Sequence, residues 1–93
     1  MIMMRFVGSL RGLTGKSKTA IKLERSLSLR EAVQKLCERT PELNRAFAET
    51  ENRRLTTIML ILVNGKEISA LEGLDTILKD GDEVVFVPIV HGG

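Results

Sequence analysis

The chain has 93 residues, 43% of them hydrophobic, and a formal net charge of +2. That length gives one domain with enough apolar residues for a small core, and so small a charge gives no reason to expect nucleic acid as a partner. Three Phe, no Trp and no Tyr leave no base-stacking platform, while one Cys and one His leave neither an internal disulfide nor a structural zinc site.

The charge is unevenly spread. Residues 1–63 carry 12 basic and 6 acidic side chains, and residues 64–93 carry 2 and 6, so the last third is an acidic segment. No apolar run approaches the ~20 residues that span a bilayer. The opening "MIMMRF" lacks a basic stretch followed by an apolar one. A lone Cys37 fits a reducing compartment. The expectation is a cytoplasmic protein with no membrane partner.

In chain order, "MIMMRFVGSLRGL" sets Met4, Phe6, Gly8 and Leu10 against Arg5, Ser9 and Arg11, the period of a strand. "TGKS" is a turn cluster and "KTAIKLE" alternates again, so the two runs read as a hairpin. "GLTGKS" is not a phosphate-binding loop. Leu10 stands where the first glycine of that pattern belongs, and a strand rather than a helix follows.

"SLREAVQKL" changes to a helical period. Ser28 and Glu31 make a capping box, Leu27 can staple onto Ala32, and Leu29, Val33, Leu36 and Cys37 share one face. Cys37 is therefore a packing residue, with no base partner to make it a nucleophile. Thr40-Pro41 caps a short second helix with Leu43, Ala46 and Phe47 on its apolar side. "ETENRRL" reads as a polar connection.

"TTIMLILV" is a strand that ends in the hairpin signal Asn64-Gly65, and "KEI" returns. "LEGLDTILKDGDE" reads as loop with one helical turn. "EVVFVPIV" is apolar on both faces, as a central strand should be. Pro88 cannot donate to a ladder and marks where that strand starts to leave the sheet. A central last strand needs neighbours on both sides, which places it parallel to the first. The expected fold is α+β, a β-grasp (ubiquitin-like) roll with a mixed sheet of about five strands, one main helix and a short second helix. Residues 1–90 form the domain and 91–93 a flexible diglycine tail.

No carboxylate pair or Ser/His/Asp set offers catalysis, so a carrier rather than an enzyme is expected. His91 has no second ligand or nucleophile around it. What remains is the terminal Gly92-Gly93. Glycine has no Cβ, so such a tail can thread a narrow channel and present an unhindered carboxylate for activation.

With these residues in view, the chain resembles the small subunit of molybdopterin synthase and related ubiquitin-like sulfur carriers. The resemblance rests on "MRFVGSLRGLTG", "SLREAVQKLCERTPEL", "ILVNG" and above all "DGDEVVFVPIVHGG". The length of the polar segment near residues 41–54 favours the molybdopterin type over the shorter thiazole-pathway carriers. The resemblance implies that a ubiquitin-activating-type adenylyltransferase uses ATP and magnesium to adenylate Gly93. Sulfur is then loaded as a Gly93 thiocarboxylate, and the large synthase subunit takes in the tail, threaded through Gly92. No cofactor or metal is bound by the chain itself. Ile89 and His91 stand where the family usually has a second Pro and a small residue. A second reading is an archaeal-type protein modifier joined through Gly93 to target lysines. A third is a plain interaction module.

The last strand alternates. Val84 and Phe86 should face the core, and Val85, Val87 and Ile89 should form an open apolar face that, with His91, docks the partners. Asp80, Asp82 and Glu83 are expected to steer a basic partner.

Overall fold

The computed structural model describes residues 1–44 and 59–89. Among the described residues, these strands and helices follow in order: β1 (Ile2–Phe6), α1 (Ser9–Thr14), β2 (Lys18–Ile21), β3 (Leu27–Ser28), α2 (Leu29–Arg39), β4 (Met59–Val63), β5 (Lys66–Glu67), β6 (Ile77–Leu78) and β7 (Glu83–Pro88). Residues 41–44 are helical. Two 3-10 turns, Ile68–Ala70 and Gly73–Asp75, separate β5 from β6.

The main sheet has the order β2-β1-β7-β4-β5. Strands β1 and β7 run parallel at its centre, with Phe6 beside Phe86, and the other pairs are antiparallel. This is the β-grasp arrangement, and the central parallel placement of the last strand follows from its apolar residues on both faces.

Alternation in the three inner strands sends one set of side chains into the core. Ile2, Met4 and Phe6 of β1, Val84 and Phe86 of β7, and Met59, Ile61 and Val63 of β4 are buried with Leu29, Ala32, Val33 and Leu36 of α2. The Phe6 and Phe86 rings stack with centroids 5.9 Å apart. Leu27 and Ala32, the expected staple pair, both lie in this core, and Cys37 packs half-buried against it.

Helix α2 starts where the capping box puts it. The Glu31 N–H donates to the Ser28 hydroxyl at 3.1 Å, and the Ser28 N–H donates to Glu31 Oε1 at 3.2 Å. That backbone bond, chiefly, holds the Glu31 carboxyl below its ordinary value of 4.5. The Ser28 hydroxyl, Arg25 and Lys35 act in the same direction, and partial burial opposes them. The Asn64-Gly65 turn takes φ of 51° and 84°, the left-handed pair that a tight hairpin requires.

Three expectations are corrected. The first strand ends at Phe6, and residues 9–14 form α1 instead of continuing it. Gly8, at φ 64° and ψ −135°, turns the chain out of the strand. Strand β2 ends at Ile21 rather than running to Glu24. The segment 71–83 has the one helical turn expected, Gly73–Asp75, but is not otherwise loop. It also holds β6, which pairs with β3 in a separate two-stranded sheet. The "ETENRRL" connection and the rest of the expected second helix, with Ala46 and Phe47, fall outside the described residues, as does the boundary expected between residues 90 and 91.

Candidate functional site: the open sheet face and the tail strand

The face of the main sheet away from α2 is built by the other half of the alternation. On β7 it carries Val85 and Val87, both half-buried, with Val84 and Phe86 pointing into the core. On β4 it carries Leu62 opposite Val85 and Leu60 opposite Val87, also half-buried. On β1, Arg5 is the neighbour of Val85. The exposed Val7 follows β1, and its N–H donates to the Phe86 carbonyl at 3.1 Å. Ile89 comes two residues after Val87 and is 39% exposed.

These residues form an apolar strip along the two central antiparallel strands that points toward the C-terminus. Polar residues border it. Arg5 pairs with Glu83, and exposed Lys18 lies beside Arg5 in the β1–β2 register. An apolar strip with a polar border is the usual composition of a protein docking surface.

The sequence identifies Val85, Val87 and Ile89; the structure places Val85 and Val87 on the face away from the core, and Ile89, one residue past β7, is exposed. His91, Gly92 and Gly93 lie outside the described residues. Leu60, Leu62 and Val7 are added by the structure. "TTIMLILV" is apolar at nearly every position, so its own pattern does not separate an open face from a buried one. Only the pairing with β7 does so.

The acidic residues at the start of β7 have partners within the chain. Asp82 accepts from Asn64 Nδ2 at 3.0 Å and from the Lys79 N–H at 2.8 Å. Glu83 pairs with Arg5, and Asp80 pairs with the N-terminal ammonium. They also sit at the far end of the strand. At about 3.3 Å per residue, Glu83 lies roughly 17 Å from Pro88 along the strand. Their roles are to close the Asn64-Gly65 end of the sheet and to hold the N-terminus.

Of the motifs weighed in the sequence, Gly15-Lys16-Ser17 follows α1, where Gly15 ends the helix in the left-handed conformation, and leads into β2. No helix N-terminus follows it to receive a phosphate. Among the described residues, no helix is long and apolar enough to cross a membrane.

The sequence profile of the ThiS family matches residues 4–93, including both terminal glycines. A candidate sulfur carrier protein of Archaeoglobus fulgidus is 46% identical over 39 residues. Those residues are 42% of this chain and 44% of that protein, so the chain spans less than half the length of this curated relative. The small archaeal modifier protein 1 from Methanosarcina acetivorans superposes with a TM-score of 0.81 at 28% identity, over 99% of this chain and 95% of that one. A chain of the protein–protein complex of subunits 1 and 2 of molybdopterin-converting factor from Helicobacter pylori superposes with a TM-score of 0.59 at 23% identity, over 99% and 97%. At that identity the second likeness is one of fold.

Proposed function

The chain belongs to the ThiS family of ubiquitin-like sulfur carriers, and on that basis we propose that it is the small subunit of a molybdopterin synthase. In this reading it donates sulfur from a Gly93 thiocarboxylate to the pterin precursor of the molybdenum cofactor. The observation that carries the reading is the strand β7. It is the central strand of the sheet, it bears the open apolar strip, and its sequence leads within five residues of Pro88 to Gly93. The docking surface is thus on the strand whose sequence continues to the group to be activated.

The chemistry assigned to the tail needs no side chain of this protein. A carboxylate oxygen of Gly93 attacks the α-phosphorus of ATP, held with magnesium by a ubiquitin-activating-type adenylyltransferase, and pyrophosphate leaves. Sulfide-level sulfur, as hydrosulfide, then attacks the acyl carbon, AMP leaves and a proton is lost, which gives the thiocarboxylate. The large subunit receives the tail through the narrow passage that Gly92 suits. This chain supplies the docking strip, with Val85, Val87 and Ile89 as its β7-side residues and His91 as the first residue of the tail, and in this reading ATP and magnesium are held by the activating enzyme. The subunit complex from Helicobacter pylori supports a partner of the large-subunit kind.

The second reading is a protein modifier joined through Gly93 to lysines. It is favoured by the 28% identity to the archaeal modifier protein. Both readings share the adenylation step. The test is ATP–pyrophosphate exchange by the activating enzyme in the presence of this chain, followed by addition of the large subunit and the pterin precursor. Exchange that requires Gly93, and pterin sulfuration with the large subunit, supports the first reading. Exchange followed only by lysine linkage supports the second. No exchange with any adenylyltransferase of this type refutes both.

A further inference from the structure

Two residues outside the docking strip, Gly8 and Pro88, lie where the tail strand parts from β1. In the parallel β1–β7 ladder, alternate residues of β7 bond to β1. The Asp82 carbonyl accepts from the Met3 N–H at 3.0 Å, and the Phe86 carbonyl accepts from the Val7 N–H at 3.1 Å. The same alternation puts the nitrogen of residue 88 opposite the Val7 carbonyl. Residue 88 is proline, so that bond has no donor. Val85 and Val87 turn their backbone groups the other way, toward β4, and the β4 register continues to Met59 beside Pro88. The last strand therefore parts from β1 at Pro88 while it is still paired with β4.

The partner strand turns away at the same level. Gly8 has φ 64° and ψ −135°, a region that residues with a Cβ rarely adopt. A Cβ placed on Gly8 would lie 3.6 Å from Pro88 Cγ, so the two residues face each other at van der Waals range. Helix α1 starts immediately after Gly8 and anchors this turn by burying Leu10.

We infer that Pro88 and Gly8 are positioning residues for the tail, ending the β1 ladder on both strands at one level so that β1 offers no pairing to the residues beyond Pro88. The inference rests on the reading of Gly93 as the activated group. It assigns a task to Pro88 that strand termination alone does not require: to keep the tail from being zipped onto β1 when the activating enzyme must draw it in.

The test uses the full chain with Pro88→Ala, which restores an amide donor opposite Val7. Pro88→Val serves if the alanine variant is poorly folded, since valine favours strands. Two quantities are read: hydrogen exchange of the residue 88 amide, and the steady-state kinetics of ATP–pyrophosphate exchange. The expected result is a protected residue 88 amide, an unchanged KM because the docking strip is intact, and a kcat lower by about fivefold. That factor is one backbone hydrogen bond of about 1 kcal/mol at 1.4 kcal/mol per decade. A folded variant with wild-type kcat, an unprotected residue 88 amide, or a lower melting temperature with no split between kcat and KM overturns the inference and leaves the proposed function standing. Absence of exchange with the wild-type chain refutes the proposed function and the inference together.

Discussion

Replacing Val87 by Asp probes the docking strip at its centre. Val87 is half-buried on the open face, opposite Leu60 on β4, while the core is closed on the other side of the sheet by Val84 and Phe86. The free protein should therefore keep its fold. The change loses the β preference of valine, about 1 kcal/mol, which lowers the melting temperature of a domain of this size by about 4–8 °C. Binding should suffer more. Full burial of a valine side chain is worth about 1.5–3 kcal/mol, and at 1.4 kcal/mol per decade that is a loss of about 10- to 150-fold in Kd. The aspartate must also give up its water against an apolar partner, which adds to the loss. Isothermal titration with the activating enzyme and with the large subunit measures Kd, and circular dichroism checks the fold. Ile77→Asp is the control, because Ile77 is 55% exposed on the separate β3–β6 sheet and should leave both affinities unchanged. A folded Val87→Asp chain with wild-type affinities would refute the docking assignment. An unfolded one would refute the assignment of faces.

Deleting Gly93, or adding one residue after it, should abolish adenylate formation and leave the thermal melt unchanged, since the described core ends within β7; a melt lowered by several degrees would show the terminus to be structural. Cys37→Ala should cost about 1 kcal/mol or somewhat more and spare sulfur loading, measured by chemical denaturation and by the mass of the loaded chain; a folded variant that cannot be loaded would bring the thiol into the chemistry. Ser28→Ala removes both hydroxyl contacts of the capping box and should cost about 1 kcal/mol, read as a shift in the denaturation midpoint. Glu31 has a folded-state pKa below its ordinary 4.5, so its stabilising contribution is fully present above about pH 4.5 and is lost as the pH falls through the lower folded value. Glu31→Gln should therefore flatten the fall in stability below pH 4.5, and an acid profile identical to wild type would contradict the capping role.

The sequence carried the centre of this fold because the centre has strong local signals. A last strand apolar on both faces belongs in the middle of a sheet, the S-x-x-E pair starts a helix, and Asn64-Gly65 turns a hairpin. Helix α1 was hidden because Met4, Phe6, Gly8 and Leu10 continue a period of two straight through the point where the strand ends. One backbone conformation at Gly8 breaks that pattern, and six residues with one buried side chain are too few to show a helical period. Strands β3 and β6 have two residues each and are joined across 50 positions, so no alternation announces them. The docking strip was half legible. Its β7 residues follow from alternation, but Leu60 and Leu62 are known only from their partners across the ladder. The intrachain partners of the acidic run were not legible, because sequence shows charges and not their partners. Those of Glu83 and Asp80 lie at residues 5 and 1, at the other end of the chain.

The central claim is that the Gly93 carboxyl is the group on which this protein acts. Mass spectrometry of the C-terminal peptide, taken from the protein in its own cells, tests it most directly. The account predicts a fraction of the peptide heavier by one oxygen-to-sulfur exchange located at Gly93, and loss of that fraction when the activating enzyme is removed. A peptide ending only in the free acid, with no thiocarboxylate under conditions that demand molybdenum cofactor, would contradict it, and Gly93 recovered on target lysines would transfer the claim to the modifier.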